Sequence, residues 1–437
     1  MASSLAIHTI FPGQKSHVET LKLSVSDIPM LFCQYIQMGV LLTAPPFSFE
    51  DLVVSLQQSL STTLSFFPPL AGRLITDPEG HVHIHCNDAG IDFLVLKSPT
   101  LSVNDVLCPG DVPDCVKEFF AFDNTLGYSG HSKPLAAVQV TELADGVFIG
   151  CSVNHAVTDG TSFWHFFNTF AEITRGASEI SKTKTPDFCR QTVFNSQAVL
   201  KFPPGGPAVT FSGDEPLREG IFHFSKEAIS KLKCICNKGC LLTNSDVNRN
   251  TEISSFQSLC AQLWRSVTRA RKLEPTKTTT FRMVVNCRPR LDPKLSPYYF
   301  GNAIQSIPNV APAGELLAND LSWGANLLHK NVVAHDNETV RRGVEDWERQ
   351  PRLFPLGNAD GASITMGSSP WFPMYNNDLG WGKPLAVRSG RANKFDGKIS
   401  AFPGREEDGS VDLEVVLAPE TMAGLENDTE IMQYVSR

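Results

Sequence analysis

A polar stretch rich in proline and glycine interrupts the chain near its midpoint, at about residues 181–216, and limits what the chain can fold into. It contains FPPGGP at 202–207 and SGDEP at 212–216. Such a composition is typical of a linker rather than of a packed element. Because 437 residues also exceed one ordinary hydrophobic core, we predict two domains, residues 1–180 and 217–437, joined by a crossover at 181–216.

Helical and strand-like hydrophobic patterns alternate along both halves of the chain, which predicts the α/β class. The clearest elements are a helix over 52–64 with Ser48 as N-cap, a strand over 147–153, a helix after Gly160, a helix opened by a capping box of Ser254 and Gln257, and a strand over 411–417. These patterns predict sheets that are flanked by helices.

The composition excludes some partners and favours others. A net charge of −8 provides no basic surface of the kind that binds nucleic acid or an anionic membrane. The 28 phenylalanines indicate large apolar interiors and an apolar cavity. We therefore expect the substrate to carry an aromatic or otherwise apolar group, and not to be a highly charged acceptor.

The cysteines and the hydrophobic runs bear on the compartment. The 11 cysteines are odd in number and scattered, which is not the pattern of a disulfide framework. The N-terminal residues lack a charged start followed by an apolar segment, and no apolar run approaches the roughly 20 residues that cross a bilayer. We expect a cytoplasmic monomer with no nucleic-acid or membrane partner.

One histidine stands where α/β folds collect reactive groups. The sequence NHAVTDG at 154–160 follows a predicted strand and precedes a predicted helix, and ligands gather at such strand ends. His155 can act there as a general base because the ordinary pKa of histidine lies close to neutral pH. A strand-to-helix turn does not place Asp159 next to His155. Asp159 therefore either caps the helix or forms an ion pair that fixes the loop.

A second feature, DLGWGKP at 378–384, lies near the C-terminus. Gly380 and Gly382 flank Trp381, so the backbone can approach another element closely while a large indole is aimed at it. Taken alone, this pattern indicates a tight turn that is pinned by a buried tryptophan.

Together these residues resemble the plant BAHD acyltransferase family. HAVTDG matches the HxxxD signature of that family, and DLGWGKP is similar to its DFGWGKP signature, in the same order along the chain. Leu379 stands where the family usually has Phe, and we expect this change to repack the loop without loss of chemistry. Three further stretches agree, namely FFPPLAGRL at 66–74, SSFQSLCAQLWR at 254–265 and NCRPRLDPKLSPYYFGN at 286–302, so the resemblance spans nearly the whole chain.

The resemblance implies an α/β fold of two CAT-like domains, each a mixed β-sheet flanked by helices, with an active-site tunnel at their interface. A late segment near the second signature would join the first domain. His155 would lie in the tunnel as general base. Asp159 would point away from the tunnel and pair with Arg288, with Arg290 as the alternative. The residues expected to support the site from the second signature are Asp378, Gly380, Trp381 and Gly382.

The implied function is direct O- or N-acyl transfer from acyl-CoA to a small alcohol or amine, in a ternary complex, within plant specialised metabolism. Acyl-CoA would be a co-substrate, and no cofactor would be bound permanently. Contacts with CoA are expected from Ser254, Ser255 and Arg290. The expected pocket residues are Tyr35, Phe163, Trp381 and Arg391, the last as an anchor for a carboxylate if it reaches the tunnel. The acyl donor, the acceptor and the oxyanion donor stay open.

Two other functional classes remain. The scaffold could be a non-catalytic relative that binds CoA or a partner protein, although a pure binder has no need of His155. The cavity could also perform lyase or elimination chemistry without contact between His155 and CoA. A requirement for acyl-CoA would separate the three classes.

Two patterns suggest metal ligands. His81, His83 and His85 alternate and would share one face of a strand, but no fourth ligand is evident. Cys234, Cys236 and Cys240 form CxCx₃C, which lacks the paired spacing of structural zinc and is more typical of a loop of small residues. We expect no metal site.

Overall fold

The computed structural model of the chain describes residues 3–107, 110–177, 181, 184–202, 216–237, 252–353 and 356–436. The strands are β1 (Ser3–Ile10), β2 (Thr20–Lys22), β3 (Ile36–Thr43), β4 (Arg73–Thr76), β5 (Val82–His85), β6 (Ile91–Ser98), β7 (Ala136–Leu143), β8 (Gly146–Val153), β9 (Arg218–Phe224), β10 (Thr278–Asn286), β11 (Ile304–Pro312), β12 (Ser363–Met366), β13 (Ala386–Ser389), β14 (Lys398–Pro403), β15 (Val411–Leu417) and β16 (Val435–Ser436). The α-helices are α1 (Phe49–Phe66), α2 (Val103–Leu107), α3 (Gly160–Thr174), α4 (Lys226–Asn237), α5 (Ser255–Ala270), α6 (Ala313–Ala318), α7 (Leu321–Ala334), α8 (Asn337–Arg349), α9 (Pro419–Glu426) and α10 (Thr429–Met432).

Within these described ranges, the strands form two large sheets and one small sheet. Their orders are β1-β6-β7-β8-β3-β13, β11-β10-β12-β14-β15-β9-β16 and β2-β5-β4. In the first sheet β6 and β7 are parallel, whereas β8 is antiparallel to both β3 and β7. In the second sheet β12 is parallel to both β10 and β14, whereas β15 is antiparallel to β14. Both large sheets are therefore mixed, and the predicted α/β fold with two sheet-rich domains is confirmed.

The predicted helix starts follow from side-chain capping. Ser48 accepts a hydrogen bond from the Asp51 amide at the start of α1. At the start of α5, Ser254 and Gln257 form both hydrogen bonds of a capping box. Because the first amides of a helix have no partner inside the helix, such caps fix where the helix begins. The predicted strands at 147–153 and 411–417 are also confirmed, as β8 and β15.

Strand β13 shows that the later half of the chain also contributes to the first sheet. Its residues pair antiparallel with β3, from Ala386 opposite Leu41 to Ser389 opposite Met38. This strand directly follows the second signature, so the late segment that was expected to join the first domain is present. The domain boundaries at 1–180 and 217–437 stay a prediction.

The described part of the crossover is packed, which corrects its interpretation as a linker. The side chain of Arg190 is 9% exposed and its Nη1 lies 2.9 Å from a carboxylate oxygen of Asp27, and Phe194 is 1% exposed. These described residues contain one proline and no glycine, so they differ in composition from the FPPGGP and SGDEP stretches on which the linker prediction was based. Residues 182–183 and 203–215 lie outside the described residues.

The cysteine cluster also differs from the prediction of a loop. Cys234 and Cys236 lie on helix α4, with Cys236 buried against the core of the second sheet. Cys240 lies outside the described residues. Of the helices that the structure describes, none is both long and apolar enough to cross a membrane.

Candidate active site

A cavity of about 640 Å³ opens between the two large sheets. Strand β3 of the first sheet supplies one wall, and strands β10 and β14 of the second sheet supply another. The first turns of α3 and α5 also line it. Because both sheets and two helix starts converge there, ligands entering the cavity would contact both halves of the chain.

His155 lines this cavity from the loop between β8 and α3. Strand β8 is buried along its whole length, so its end is fixed within the first sheet. The Nδ1 atom of His155 lies 3.0 Å from the carbonyl oxygen of Thr158. A carbonyl can only accept, so Nδ1 carries the hydrogen in the neutral ring and Nε2 keeps a free lone pair.

Burial controls the protonation state of His155. Its desolvation lowers the pKa of the imidazole, and the positive charge of Lys398 lowers it further, while hydrogen bonding and the charge of Asp159 oppose this effect. The neutral ring is therefore favoured at neutral pH. A neutral imidazole with a free Nε2 can accept a proton from a bound group.

Asp159 faces away from His155 and forms a buried ion pair with Arg288. The two guanidinium nitrogens of Arg288 lie 2.7 and 3.0 Å from the two carboxylate oxygens of Asp159. The Asp159 carboxylate also accepts from the amides of Ser162, at 2.9 Å, and Ala303, at 3.0 Å. Burial raises the pKa of Asp159, but Arg288 and these hydrogen bonds outweigh burial, so the net pKa is lowered. Asp159 thus both caps α3 and joins the His155 loop to residues 288–303.

A second network holds the backbone of the same loop. Asn302 donates from Nδ2 to the carbonyl oxygen of His155, at 2.8 Å, and to Asp27, at 3.0 Å. Asn154 accepts from the Ala156 amide at 2.9 Å. Since these partners are themselves buried, His155 is fixed by contacts that do not use its own ring.

Two of the three residues expected to contact CoA line the cavity. Ser254 lies at the start of α5 and Arg290 lies just after β10. Arg290 Nη1 donates to the carbonyl oxygens of Val332, at 2.8 Å, and His335, at 2.7 Å. Some of the guanidinium hydrogen-bond donors of Arg290 are therefore already used within the protein. Ser255, the first residue of α5, is not among the lining residues.

The structure corrects three of the four expected pocket residues. Phe163 lines the cavity, but Tyr35 is 0% exposed and its hydroxyl donates to the Pro134 carbonyl at 3.0 Å. Trp381 packs against Phe47 at the molecular surface. Arg391 is not among the lining residues, and its Nε lies 3.2 Å from a carboxylate oxygen of Asp123. Such directions depend on tertiary contacts that spacing in the sequence does not reveal.

The second signature forms a turn outside the cavity. One carboxylate oxygen of Asp378 accepts from the amides of Gly380, at 2.8 Å, and Gly382, at 3.1 Å. Gly380 and Gly382 have φ of 118° and 130°, where a side chain would be strained. The indole Nε1 of Trp381 donates to the Thr43 carbonyl at the end of β3, at 2.9 Å. This loop therefore braces the edge of β3.

The sequence interpretation missed Lys398, which also lines the cavity, as does Ser400 two residues later. Both lie on β14, where Lys398 and Ser400 alternate with the buried Ile399 and Ala401. This period of two is the signal that would have placed the lysine on one face with Ser400. Exposed Trp371 lines the cavity as well and was not singled out.

Of the histidines at 81, 83 and 85, His81 and His83 both contact Asp77. His83 Nε2 lies 2.8 Å from a carboxylate oxygen of Asp77. Asp77, Glu79 and His81 each place one ligand atom within 4.8 Å of the others, although such groups are common at surfaces without an ion. The expectation that this chain holds no metal stays a prediction.

Comparison with known proteins decides the family. The model of the Transferase family matches residues 5–432. The chain is 35% identical over 450 residues to the BAHD acyltransferase DCR of Arabidopsis thaliana, covering 96% of this chain and 91% of that protein. The chain belongs to the BAHD acyltransferase family. The family resemblance inferred from HAVTDG and DLGWGKP is thereby confirmed, and so is the prediction that the chain is an acyltransferase enzyme.

Another relative of this BAHD acyltransferase is shikimate O-hydroxycinnamoyltransferase of Nicotiana tabacum, 27% identical over 399 residues, with 87% of this chain and 88% of that protein covered. Two solved structures share the fold. Vinorine synthase superposes with a TM-score of 0.77 at 20% identity, over 100% of this chain and 99% of that one. TRI101 of F. graminearum, complexed with coenzyme A and deoxynivalenol, gives 0.78 at 18% identity, over 96% and 99%.

Proposed function

We propose that this enzyme transfers an acyl group from acyl-CoA to the hydroxyl or amine of a small acceptor, with His155 as general base. Both substrates would occupy the cavity between the two sheets at the same time. TRI101 of F. graminearum, which has the same fold, forms a complex with coenzyme A and deoxynivalenol, and this supports acyl-CoA as the co-substrate.

The observation that carries this proposal is the setting of the His155 ring. The hydrogen of Nδ1 is directed to the Thr158 carbonyl, 3.0 Å away, and burial lowers the pKa of the imidazole. Nε2 therefore keeps a free lone pair within the cavity between the two sheets. Such a group typically contributes about 10²–10⁴ in rate when it removes a proton from a reacting group.

The proposed reaction conserves the proton within the site. Nε2 of His155 takes the proton of the acceptor O–H or N–H as that oxygen or nitrogen bonds to the thioester carbonyl carbon. The carbonyl π electrons move to the oxygen, which gives a tetrahedral oxyanion. When the oxyanion collapses, the C–S bond breaks and the His155 imidazolium returns the proton to the leaving thiolate. The products are an ester or amide and free CoA.

Binding of two substrates in one cavity supplies the remaining catalysis. An enclosed ternary complex replaces a bimolecular encounter with a reaction between adjacent groups and keeps water from the thioester. Ser254 and Arg290 are the lining residues proposed to contact CoA. We also propose that the enzyme is a cytoplasmic monomer.

An acyl-CoA panel tests the function. Purified protein is incubated with acetyl-, malonyl-, benzoyl- and hydroxycinnamoyl-CoA and a library of small alcohols and amines, and both free thiol and product mass are measured. A hydroxycinnamoyl donor comes first because one relative is named for transferring that group. We expect thiol release that depends on an acceptor. Conversion of a substrate without acyl-CoA would indicate lyase chemistry instead, and binding of CoA without turnover would indicate a binding protein.

A further inference from the structure

Lys398 is a second ionisable group in the same cavity. It lies at the start of β14 and lines the space that His155 also lines. In the part of the chain that the structure describes, the Nζ atom of Lys398 has no ion pair and no hydrogen bond. A lysine that is largely removed from water and lacks an anionic partner is costly to maintain.

Lys394, which is close to Lys398 in the sequence, is an example of a lysine whose charge is paired within the protein. Nζ of Lys394 lies 2.6 Å from a carboxylate oxygen of Glu219 and 2.6 Å from one of Glu414. Its charge is therefore fully compensated by the protein. No carboxylate oxygen of a described residue lies within ion-pair distance of Nζ of Lys398, four residues later, so its charge is available to the cavity.

The backbone opposite Lys398 makes room for its ammonium group. A Cβ added to Gly367, just after β12, would lie 1.8 Å from Nζ of Lys398. Any other residue at 367 would thus displace the ammonium group. Gly367 lines the cavity too, so the space left by its missing side chain is part of the cavity.

A second hydrogen-bond donor lies on the same face. Ser400 follows Lys398 by two residues on β14 and lines the cavity. Its hydroxyl forms no hydrogen bond within the described ranges. One ammonium group and one hydroxyl match the two oxygens of a carboxylate, which accepts hydrogen bonds at both.

We propose that Lys398, with Ser400, binds a carboxylate group of a substrate inside the cavity. The inference rests on the proposed function for its reaction, but the binding site itself does not require turnover. The carboxylate would belong either to the acceptor or to the far end of the acyl group.

The charge state of Lys398 is consistent with this role. Burial lowers its pKa to about 8, with Lys394 adding to the effect and Cys33 and Glu414 opposing it. An entering carboxylate would favour the ammonium form and so gain a charge-assisted hydrogen bond. This proposal departs from the sequence-based expectation of an apolar substrate, in which Arg391 would anchor a carboxylate only if its side chain reached the tunnel.

Binding to the full chain tests the proposal with two matched pairs of probes. Calorimetry gives the Kd of 3-hydroxybenzoate against 3-hydroxybenzamide, and of malonyl-CoA against propionyl-CoA. We expect the acidic member of one pair to bind roughly 10- to 100-fold more tightly than its neutral partner. The pair that shows the preference identifies whether the acceptor or the acyl group carries the carboxylate.

Four variants assign the preference to Lys398. Lys398→Met removes the charge and should abolish the preference, whereas Lys398→Arg should keep most of it. Gly367→Ala keeps the lysine but displaces Nζ, and should reduce the preference as well. Lys330→Met, a change of equal charge at an exposed position, should leave it intact.

Three results would overturn the proposal. Neither pair of probes shows a preference, the preference survives in Lys398→Met, or Lys398→Met instead weakens binding of free CoA, which would assign the lysine to the CoA phosphates. Failure of the proposed function is a separate outcome, because acyl transfer is not measured in this experiment.

Discussion

The two glycine-containing signatures occupy opposite environments. The loop at 154–160 lies between the sheets, and its Asp159 is 1% exposed and paired with Arg288. The loop at 378–384 lies at the surface, where Trp381 packs on Phe47 and bonds to the end of β3. Their motifs are equally distinct in the sequence. The first loop borders the cavity and the second supports the edge of β3. A distinct sequence motif can therefore reflect an unusual backbone conformation rather than a group that takes part in the reaction.

The comparison also separates two kinds of stabilisation. The first loop is held by a buried ion pair and by amides that donate to one carboxylate. The second is held by an indole hydrogen bond and by a carboxylate that caps its own turn. Breaking a buried ion pair leaves an uncompensated charge. In an exposed turn, by contrast, water can replace a lost hydrogen-bond partner. We therefore expect perturbations of the first loop to have the larger effects.

The largest expected effect is on rate. His155→Ala should fold but lose about 10²–10⁴ in kcat, because no other described histidine lines the cavity. Steady-state kinetics with the donor and acceptor found in the panel provide the measurement, and thermal unfolding checks the fold. A kcat within a few-fold of wild type would show that His155 is not the general base. The two loops would then no longer differ in function.

The next largest effect is on stability. Asp159→Asn should cost about 3–5 kcal/mol in the free energy of unfolding, because Arg288 is then left buried without its counter-ion. Thermal or denaturant unfolding measures this. Asp111→Asn is the matched control, since it breaks a partly exposed pair with Arg218 and should cost less than about 1 kcal/mol. Lost activity at unchanged Tm would instead assign Asp159 a direct part in catalysis.

The smallest effect is expected in the second loop. Trp381→Ala should lower the free energy of unfolding by about 1–3 kcal/mol, through lost packing on Phe47 and the lost bond to Thr43, with kcat changed only a few-fold. Trp381→Phe keeps an aromatic ring and should lose only the hydrogen bond. A large loss of kcat in both variants, with the free energy of unfolding unchanged, would show that this loop takes part in catalysis. The proposed difference between the two loops would then be wrong.

Much of the fold was accessible from the sequence because its signals are local. Caps at Ser48 and Ser254, the apolar run of β8 and the alternation of β15 act over a few residues. The position of His155 at the end of β8 was predictable for a related reason, since a strand end before a helix start is a local pattern; its role as base stays a prediction.

What could not be predicted depends on distant contacts. Residues 184–202 belong to the crossover that was predicted as a linker, yet Arg190 donates a hydrogen bond to Asp27, 163 residues earlier in the chain. Tyr35, Trp381 and Arg391 were assigned to the pocket by type, whereas partners far along the chain set their directions. Lys398 was missed because its setting depends on distant contacts: Gly367 leaves room for its Nζ, and no described carboxylate pairs with it.

The pH dependence of kcat/KM tests the assignment of His155 most directly. Transfer needs the neutral imidazole, so the rate should fall as the pH falls through the pKa of His155. Because burial lowers that pKa from its ordinary 6.5, the acidic limb should lie below pH 6.5. With an acceptor alcohol that does not itself titrate, wild type and Trp381→Ala should share this limb, and the residual rate of His155→Ala should lack it. The same limb persisting in His155→Ala would show that another group is the base.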